Sequence, residues 1–160
     1  MKVFPPSSRE NAKSARYGIV VSRFNEEVTE KLLANCLSTL QKAGVPKSHI
    51  DWVSVPGAYE IPWVAQELAL CGRYDVVVCL GAVLKGETSQ NEHIARSVIE
   101  SLQSIILKTR VPCVLGVITP RTWKQAVART KGENDRGQES ALAALDLAEL
   151  KLGGCIGRTR

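Results

Sequence analysis

The stretch that most directly predicts the fold reads YDVVVCLGAV, at residues 74–83. It is almost continuously apolar and rich in valine, which is typical of a strand buried on both faces. Similar runs predict three more strands, YGIVVSR (17–23), IDWVSV (50–55) and VPCVLGVIT (111–119). Strands too apolar to face water on one side indicate a parallel sheet that is covered by helices on both faces.

The segments between and after these strands have the periodicity of helices. Apolar residues recur three or four positions apart, which predicts helices at 26–43, about 60–70, about 90–108, 122–129 and about 138–151. Asn25 is expected to cap the first helix, and Ser89 with Glu92 forms a capping-box pattern before the third. The order βαβαβαβαα predicts an α/β fold, a flavodoxin-like three-layer sandwich with a four-stranded parallel sheet.

The chain of 160 residues fits one domain. Residues 1–16 are polar and contain Pro5 and Pro6, so we expect an extended N-terminal arm. The α/β domain is expected to span residues 17–152, and residues 153–160 are expected to form a flexible C-terminal tail.

Composition argues against several classes of partner. The formal charge is +5, but lysines and arginines are scattered and aromatic residues make up only 5%, which favours small anions over nucleic acid. No apolar run approaches the roughly 18–20 residues of a membrane span, and the start lacks an apolar signal region. Five widely spaced cysteines without a CxxC pair indicate a reduced, cytoplasmic protein without structural metal.

Ligands of open parallel sheets bind beyond the carboxyl ends of the strands. Phe24 follows the first strand and can stack on a planar ligand, or it can serve as a hydrophobic staple. Glu60 follows the second strand and can accept hydrogen bonds from ligand hydroxyls, or it can simply favour the helix start.

Two later segments suit an anion. The glycine-bearing loop at 81–90 carries Lys85 and Thr88 into a helix start, which fits either a phosphate cradle or an ordinary cap. Arg129 and Arg136 bound a loop that can clamp a phosphate or simply be solvated. Together, these segments favour a planar polyhydroxylated ligand beside a small phosphate ester.

The same segments resemble the lumazine synthase family over about residues 16–150. The motifs that carry the resemblance are SRFNE (22–26), VPGAYEIP (55–62), GAVLKGETS (81–89), VPCVLGVIT (111–119) and RTKGENDRGQESALAALDLAEL (129–150). The resemblance implies a transferase of riboflavin biosynthesis that condenses 5-amino-6-ribitylaminouracil with 3,4-dihydroxy-2-butanone 4-phosphate. It implies no cofactor. It also implies a homopentamer, in some members a 60-subunit shell, with each active site between neighbouring subunits.

The resemblance also assigns roles to residues. Those that contact the pyrimidine ring and its ribityl chain are Phe24, Ala58, Tyr59, Glu60, Ala82, Val83 and Leu84. Glu87, Thr88 and Arg129 receive the phosphate, and Arg136 occupies a catalytic position that the family usually fills with lysine. Leu115 stands where the family commonly has phenylalanine beside the ring.

Gln90 is the main departure from the family pattern. It occupies the position of the family's proton-transfer histidine, and its amide cannot titrate near neutral pH. His93 follows on nearly the same helix face, where family members often carry tyrosine or histidine. Three hypotheses therefore remain. The chain is a slow enzyme, or it is a catalytically impaired family member that serves as an assembly or flavin-like ligand binder, or it is a flavodoxin-like FMN- or phosphate-binding module.

Overall fold

The computed structural model describes residues 9–154, and its centre is a four-stranded parallel sheet. The strand order is β2-β1-β3-β4, which confirms the predicted parallel topology. The strands are β1 (Tyr17–Ser22), β2 (Ile50–Val55), β3 (Val76–Ala82) and β4 (Cys113–Ile118).

Helices cover both faces of this sheet, so the predicted three-layer sandwich is confirmed. Helices α1, α2 and α6 pack on one face, whereas α3 and α4 pack on the other. Their bounds are α1 (Glu10–Ser14), α2 (Glu26–Lys42), α3 (Ile61–Leu70), α4 (Gln90–Thr109), α5 (Trp123–Ala128) and α6 (Arg136–Leu152). Short 3₁₀ turns occupy Lys47–His49, Ala58–Glu60 and Gly132–Asn134.

The two central strands are buried on both faces. Ile19 and Val78 pack against the α2 and α6 layer, and their neighbours Val20 and Cys79 pack against the α3 and α4 layer. This alternation explains why β1 and β3 read as continuous apolar runs, since each face needs its own apolar side chains.

Strand β2 departs from the predicted burial. Its central residues face solvent, with Trp52 55% exposed and Val53 38% exposed. The expectation that no strand faces water was wrong here because the strand order places β2 at an edge of the sheet. Sequence alone did not reveal which strand would be at the edge.

The expectation of an extended N-terminal arm was wrong for α1. Glu149 on α6 accepts hydrogen bonds from Asn11 Nδ2 at 2.7 Å and from the Ala12 backbone N–H at 3.0 Å. Ala12 and Ala15 are buried in the adjoining core, so tertiary contacts with α6 stabilise the helix. Residues 1–8 lie outside the described residues, as does the predicted C-terminal tail beyond a turn at Gly153.

Candidate active site

A cleft of about 440 Å³ lies at the carboxyl ends of β1, β2 and β3, beside the first turn of α4. It brings together residues that the sequence analysis selected from separate segments. These are Phe24, Ala58, Tyr59, Glu60, Ala82, Val83, Leu84, Thr88 and Gln90. Such a position is where ligands bind in open parallel sheets.

Phe24 is held in the cleft wall by an extension of the β1–β2 hydrogen-bond ladder. The Arg23 backbone N–H donates to Val55 O at 2.8 Å, and the Phe24 N–H donates to Pro56 O at 3.0 Å. The side chain remains 72% exposed, so Phe24 is not a buried hydrophobic staple. A fixed backbone and an open ring face suit stacking on a planar ligand.

Asn25 connects two of the strand ends. It adopts a left-handed conformation at φ 63° and makes no side-chain cap, contrary to prediction. Its Nδ2 instead donates to the backbone oxygen of Ala82, 2.9 Å away. Left-handed backbone is tolerated by asparagine more readily than by most residues, so Asn25 can tie the end of β1 to the end of β3.

Within residues 9–154, Glu60 is the only charged residue that lines the cleft. Its Oε2 accepts a hydrogen bond from the Gly57 backbone N–H at 2.8 Å, which fixes the carboxylate across the turn. The carboxylate therefore enters the cleft as an oriented acceptor. Tyr59, which precedes it, is 65% exposed at the cleft.

The start of α4 differs from the predicted capping box. Ser89 makes no side-chain cap, and its Oγ lies 3.4 Å from His93 Nε2 instead. Thr88 Oγ1 accepts from the backbone N–H of Gln90 at 3.4 Å. This local contact takes the place of the Ser89 cap because the Ser89 backbone is not extended, with φ −77° and ψ 7°.

The first turn of α4 presents amides, not an imidazole, to the cleft. Gln90 lines it, whereas His93 does not and instead faces Ser89. Asn91 and Ile94 also line the cleft, although the sequence analysis gave them no site role. The sequence could have indicated Ile94, because it lies one helical turn after Gln90 on the same face of the predicted helix.

Arg129 and Arg136 lie in a second pocket of about 350 Å³, at the carboxyl end of β4. The backbone N–H of Arg136 donates to Arg129 O at 2.8 Å, and Arg136 Nη1 pairs with Glu139 Oε2 at 3.1 Å. The two pockets share no lining residue, although a residue of each is in contact, since the Val83 N–H donates to Ile118 O at 2.8 Å. In a single chain, therefore, neither Arg129 nor Arg136 lines the cleft that contains Phe24.

Three other predicted residues line neither pocket. Lys85 and Glu87 are exposed on the loop before α4, and the Lys85 backbone N–H donates to Pro120 O at 3.1 Å. Leu115 is 41% exposed on the edge strand β4. The chain by itself therefore leaves part of the predicted site apart from the cleft.

Comparison with known proteins identifies the family. The model of the 6,7-dimethyl-8-ribityllumazine synthase family matches residues 14–152. The chain belongs to this family. A protein of that name from Gloeobacter violaceus is 41% identical over 145 residues, which cover 88% of this chain and 81% of the relative. A second, from Microcystis aeruginosa, is 37% identical over 154 residues, which cover 94% and 85%.

Membership in the lumazine synthase family confirms the predicted function, an enzyme of riboflavin biosynthesis, and does not favour the alternatives.

The cysteines whose thiol pKa values are strongly raised lie in the core of this family member. Burial raises the pKa of Cys36 to about 12 and that of Cys113 to about 11, and it also raises the pKa of Cys79 well above its ordinary value. Neutral thiols shielded from the cleft have no means of acting as nucleophiles there.

Every helix within residues 9–154 falls short of the length and apolar character that crossing a membrane requires.

Proposed function

We propose that the chain condenses 5-amino-6-ribitylaminouracil with 3,4-dihydroxy-2-butanone 4-phosphate. An imine forms, phosphate leaves, the ring closes and water is lost, which gives 6,7-dimethyl-8-ribityllumazine. The observation that carries this proposal is the cleft itself, in which Phe24, Glu60 and Gln90 converge from three separate segments. An open aromatic face beside an oriented carboxylate suits a planar ring that bears a polyhydroxylated chain.

The second pocket suits the other substrate. Two guanidinium groups, from Arg129 and Arg136, border it, and guanidinium groups bind phosphate oxygens in bidentate fashion. Glu139 already pairs with Arg136, so Arg129 is the freer of the two cations to receive the phosphate. Thr88 adds a hydroxyl from the cleft side.

We further propose that the working form is a homopentamer with each site shared between neighbouring copies, acting in the cytosol. In the described part of the chain, no cationic side chain lines the first cleft, and no aromatic side chain lines the second pocket. A neighbouring copy that presents its arginine pocket and Leu115 to this cleft would complete the set.

The open edge of β2 supports association of this kind. An edge strand has unpaired backbone groups that a segment of a neighbouring copy can bind, and Trp52 is exposed beside them. Light scattering at micromolar concentration measures the mass directly, and a monomer would contradict the shared site. A 60-subunit shell would appear as a single particle with twelve times the mass of a pentamer.

Gln90 sets the expected rate of this enzyme. Holding two reactants together lowers the barrier by roughly 7–11 kcal/mol in favourable cases. A positioned acid or base adds only about 10²–10⁴-fold. An amide at position 90 therefore removes a smaller contribution than the one that the cleft retains, and we expect slow but real turnover.

The test is product formation from the two substrates by the wild type and by Gln90→His. If Gln90 stands in for a missing acid or base, the variant gains up to about 10²–10⁴-fold in kcat. His93→Gln is the matched control: His93 contacts Ser89 and does not line the cleft, so we expect its loss to leave turnover unchanged. Wild type and Gln90→His both at the uncatalysed rate would refute the proposed function.

A further inference from the structure

The loop between α5 and α6 carries Arg129 at one end and Arg136 at the other. Its tip, residues 131–134, is exposed, whereas Thr130 and Asp135 beside the two arginines are only 6% and 7% exposed. The Arg136 backbone N–H closes the loop on Arg129 O at 2.8 Å. The placement of the two guanidinium groups at their pocket therefore depends on how the buried ends of this loop are held.

One side chain of α2 bonds to both ends of the loop. Asn35 Nδ2 donates to Thr130 O at 2.9 Å and to Asp135 Oδ2 at 2.6 Å. Both partners are acceptors, so the two N–H groups of the amide are fully used. The other carboxylate oxygen of Asp135 accepts from the Gln138 backbone N–H at 3.1 Å and so caps α6. Asn35 therefore ties the end of α5 to the start of α6.

We propose that Asn35 is a positioning residue for the phosphate-bearing substrate: by holding Thr130 and Asp135 together, it sets the spacing of Arg129 and Arg136. This inference rests on the proposed function and deepens it, since these two arginines are the groups proposed to bind the phosphate ester. Guanidinium groups bind phosphate in a defined geometry, so their spacing affects affinity. Within residues 9–154, Asn35 lines neither the cleft nor the arginine pocket, so it acts through the loop.

The same hydrogen bonds also stabilise the fold, because bonds to a carboxylate are stronger than those between neutral groups. A loss of stability and a loss of position can nevertheless be separated. Lower stability affects both substrates alike, whereas a displaced loop affects only the substrate that the arginines bind. The decisive measurement is therefore the Michaelis constant of each substrate taken separately.

Two variants remove the tie. Asn35→Leu keeps the approximate size of the side chain and removes both donors. Asn35→Ala is the milder variant, because alanine favours the helix and leaves room for water at the freed acceptors. Leu37→Ala is the matched control: Leu37 packs against the core from the same helix, and its side chain has no hydrogen-bonding group.

The experiment measures KM for each substrate and the thermal midpoint, at a fixed protein concentration. For Asn35→Leu and Asn35→Ala we expect KM for the butanone phosphate to rise by about tenfold, because small displacements of groups that hold a reactant are costly. KM for the aminopyrimidine should stay unchanged, since its cleft contains neither arginine. Leu37→Ala should lower the midpoint and change neither KM.

The outcomes separate this inference from the function beneath it. Wild-type turnover with an unchanged butanone phosphate KM in either Asn35 variant that folds overturns the role of Asn35 and leaves the condensation intact. An equal rise in both KM values, or the same selective rise in Leu37→Ala, also overturns it, because the effect would then follow stability. A wild type at the uncatalysed rate removes the proposed function and this inference together.

Discussion

Gly137→Ala should destabilise the protein even though alanine is the better helix former. Gly137 is buried in the first turn of α6, where this helix crosses α2. A Cβ at this position would overlap the backbone carbonyl oxygen of Leu32 and lie 3.0 Å from both Leu32 C and Leu32 Cα. The clash is with backbone, so no side-chain rotation relieves it.

The magnitude follows from two opposing effects. Replacing glycine by alanine within a helix stabilises by about 1 kcal/mol. Overpacking a tight contact costs about 1–3 kcal/mol, and a backbone neighbour favours the upper end of that range. Leu32 is itself fully buried, so α2 cannot move away freely. The net loss is about 2 kcal/mol, which corresponds to a fall in Tm of about 4–8 °C for a chain of this size.

Urea unfolding followed by tryptophan fluorescence measures this loss, at a fixed protein concentration because association would stabilise the folded state. Ala143→Gly is the matched control, since Ala143 is exposed on the same helix and changes propensity alone. We expect it to cost about 1 kcal/mol, less than Gly137→Ala. An unchanged or higher stability of Gly137→Ala would refute the argument from close approach.

Two further predictions concern alkaline pH and the N-terminal helix. Burial raises the pKa of Cys36 to about 12 and that of Cys113 to about 11 from an ordinary 9.0, so the folded state holds these protons more tightly. Their contribution to stability is complete below pH 9 and is lost as the pH rises toward 11–12. Urea midpoints should fall across that range and fall less steeply in Cys113→Ala; identical slopes would contradict the assignment. Glu149→Ala removes the acceptor of Asn11 and Ala12, so trypsin should cleave the N-terminal segment faster while hydrogen exchange in the sheet is unchanged. Equal cleavage rates would show that α1 does not depend on Glu149.

The strands were predictable because their signal is local. A strand buried on both faces must be apolar along its length, and the run at 74–83 contains β3, which is buried at every position. The family resemblance was equally predictable, because the order and spacing of its motifs can be read from the sequence without any knowledge of tertiary contacts. The roles of individual site residues remain predictions, although most of those expected to contact the ring and ribityl chain line one cleft.

Local patterns failed where a distant residue supplied the partner. The sequence around Asn25 reads as a helix cap, but the side chain bonds to Ala82, 57 positions away. The sequence around α1 reads as an extended arm, but Glu149, 137 positions from Ala12, accepts its backbone N–H. Hydrogen-bond partners at such separations have no signature in the local sequence.

The sequence by itself determined the α/β class, the strand positions and the family, because each rests on periodicity or on ordered motifs. Only the tertiary structure decided that β4 forms an edge of the sheet and that Arg129 and Arg136 occupy a pocket apart from Phe24. It also decided that Asn91 and Ile94 line the cleft. Strand order and burial depend on how the layers pack, and packing is a property of the whole chain.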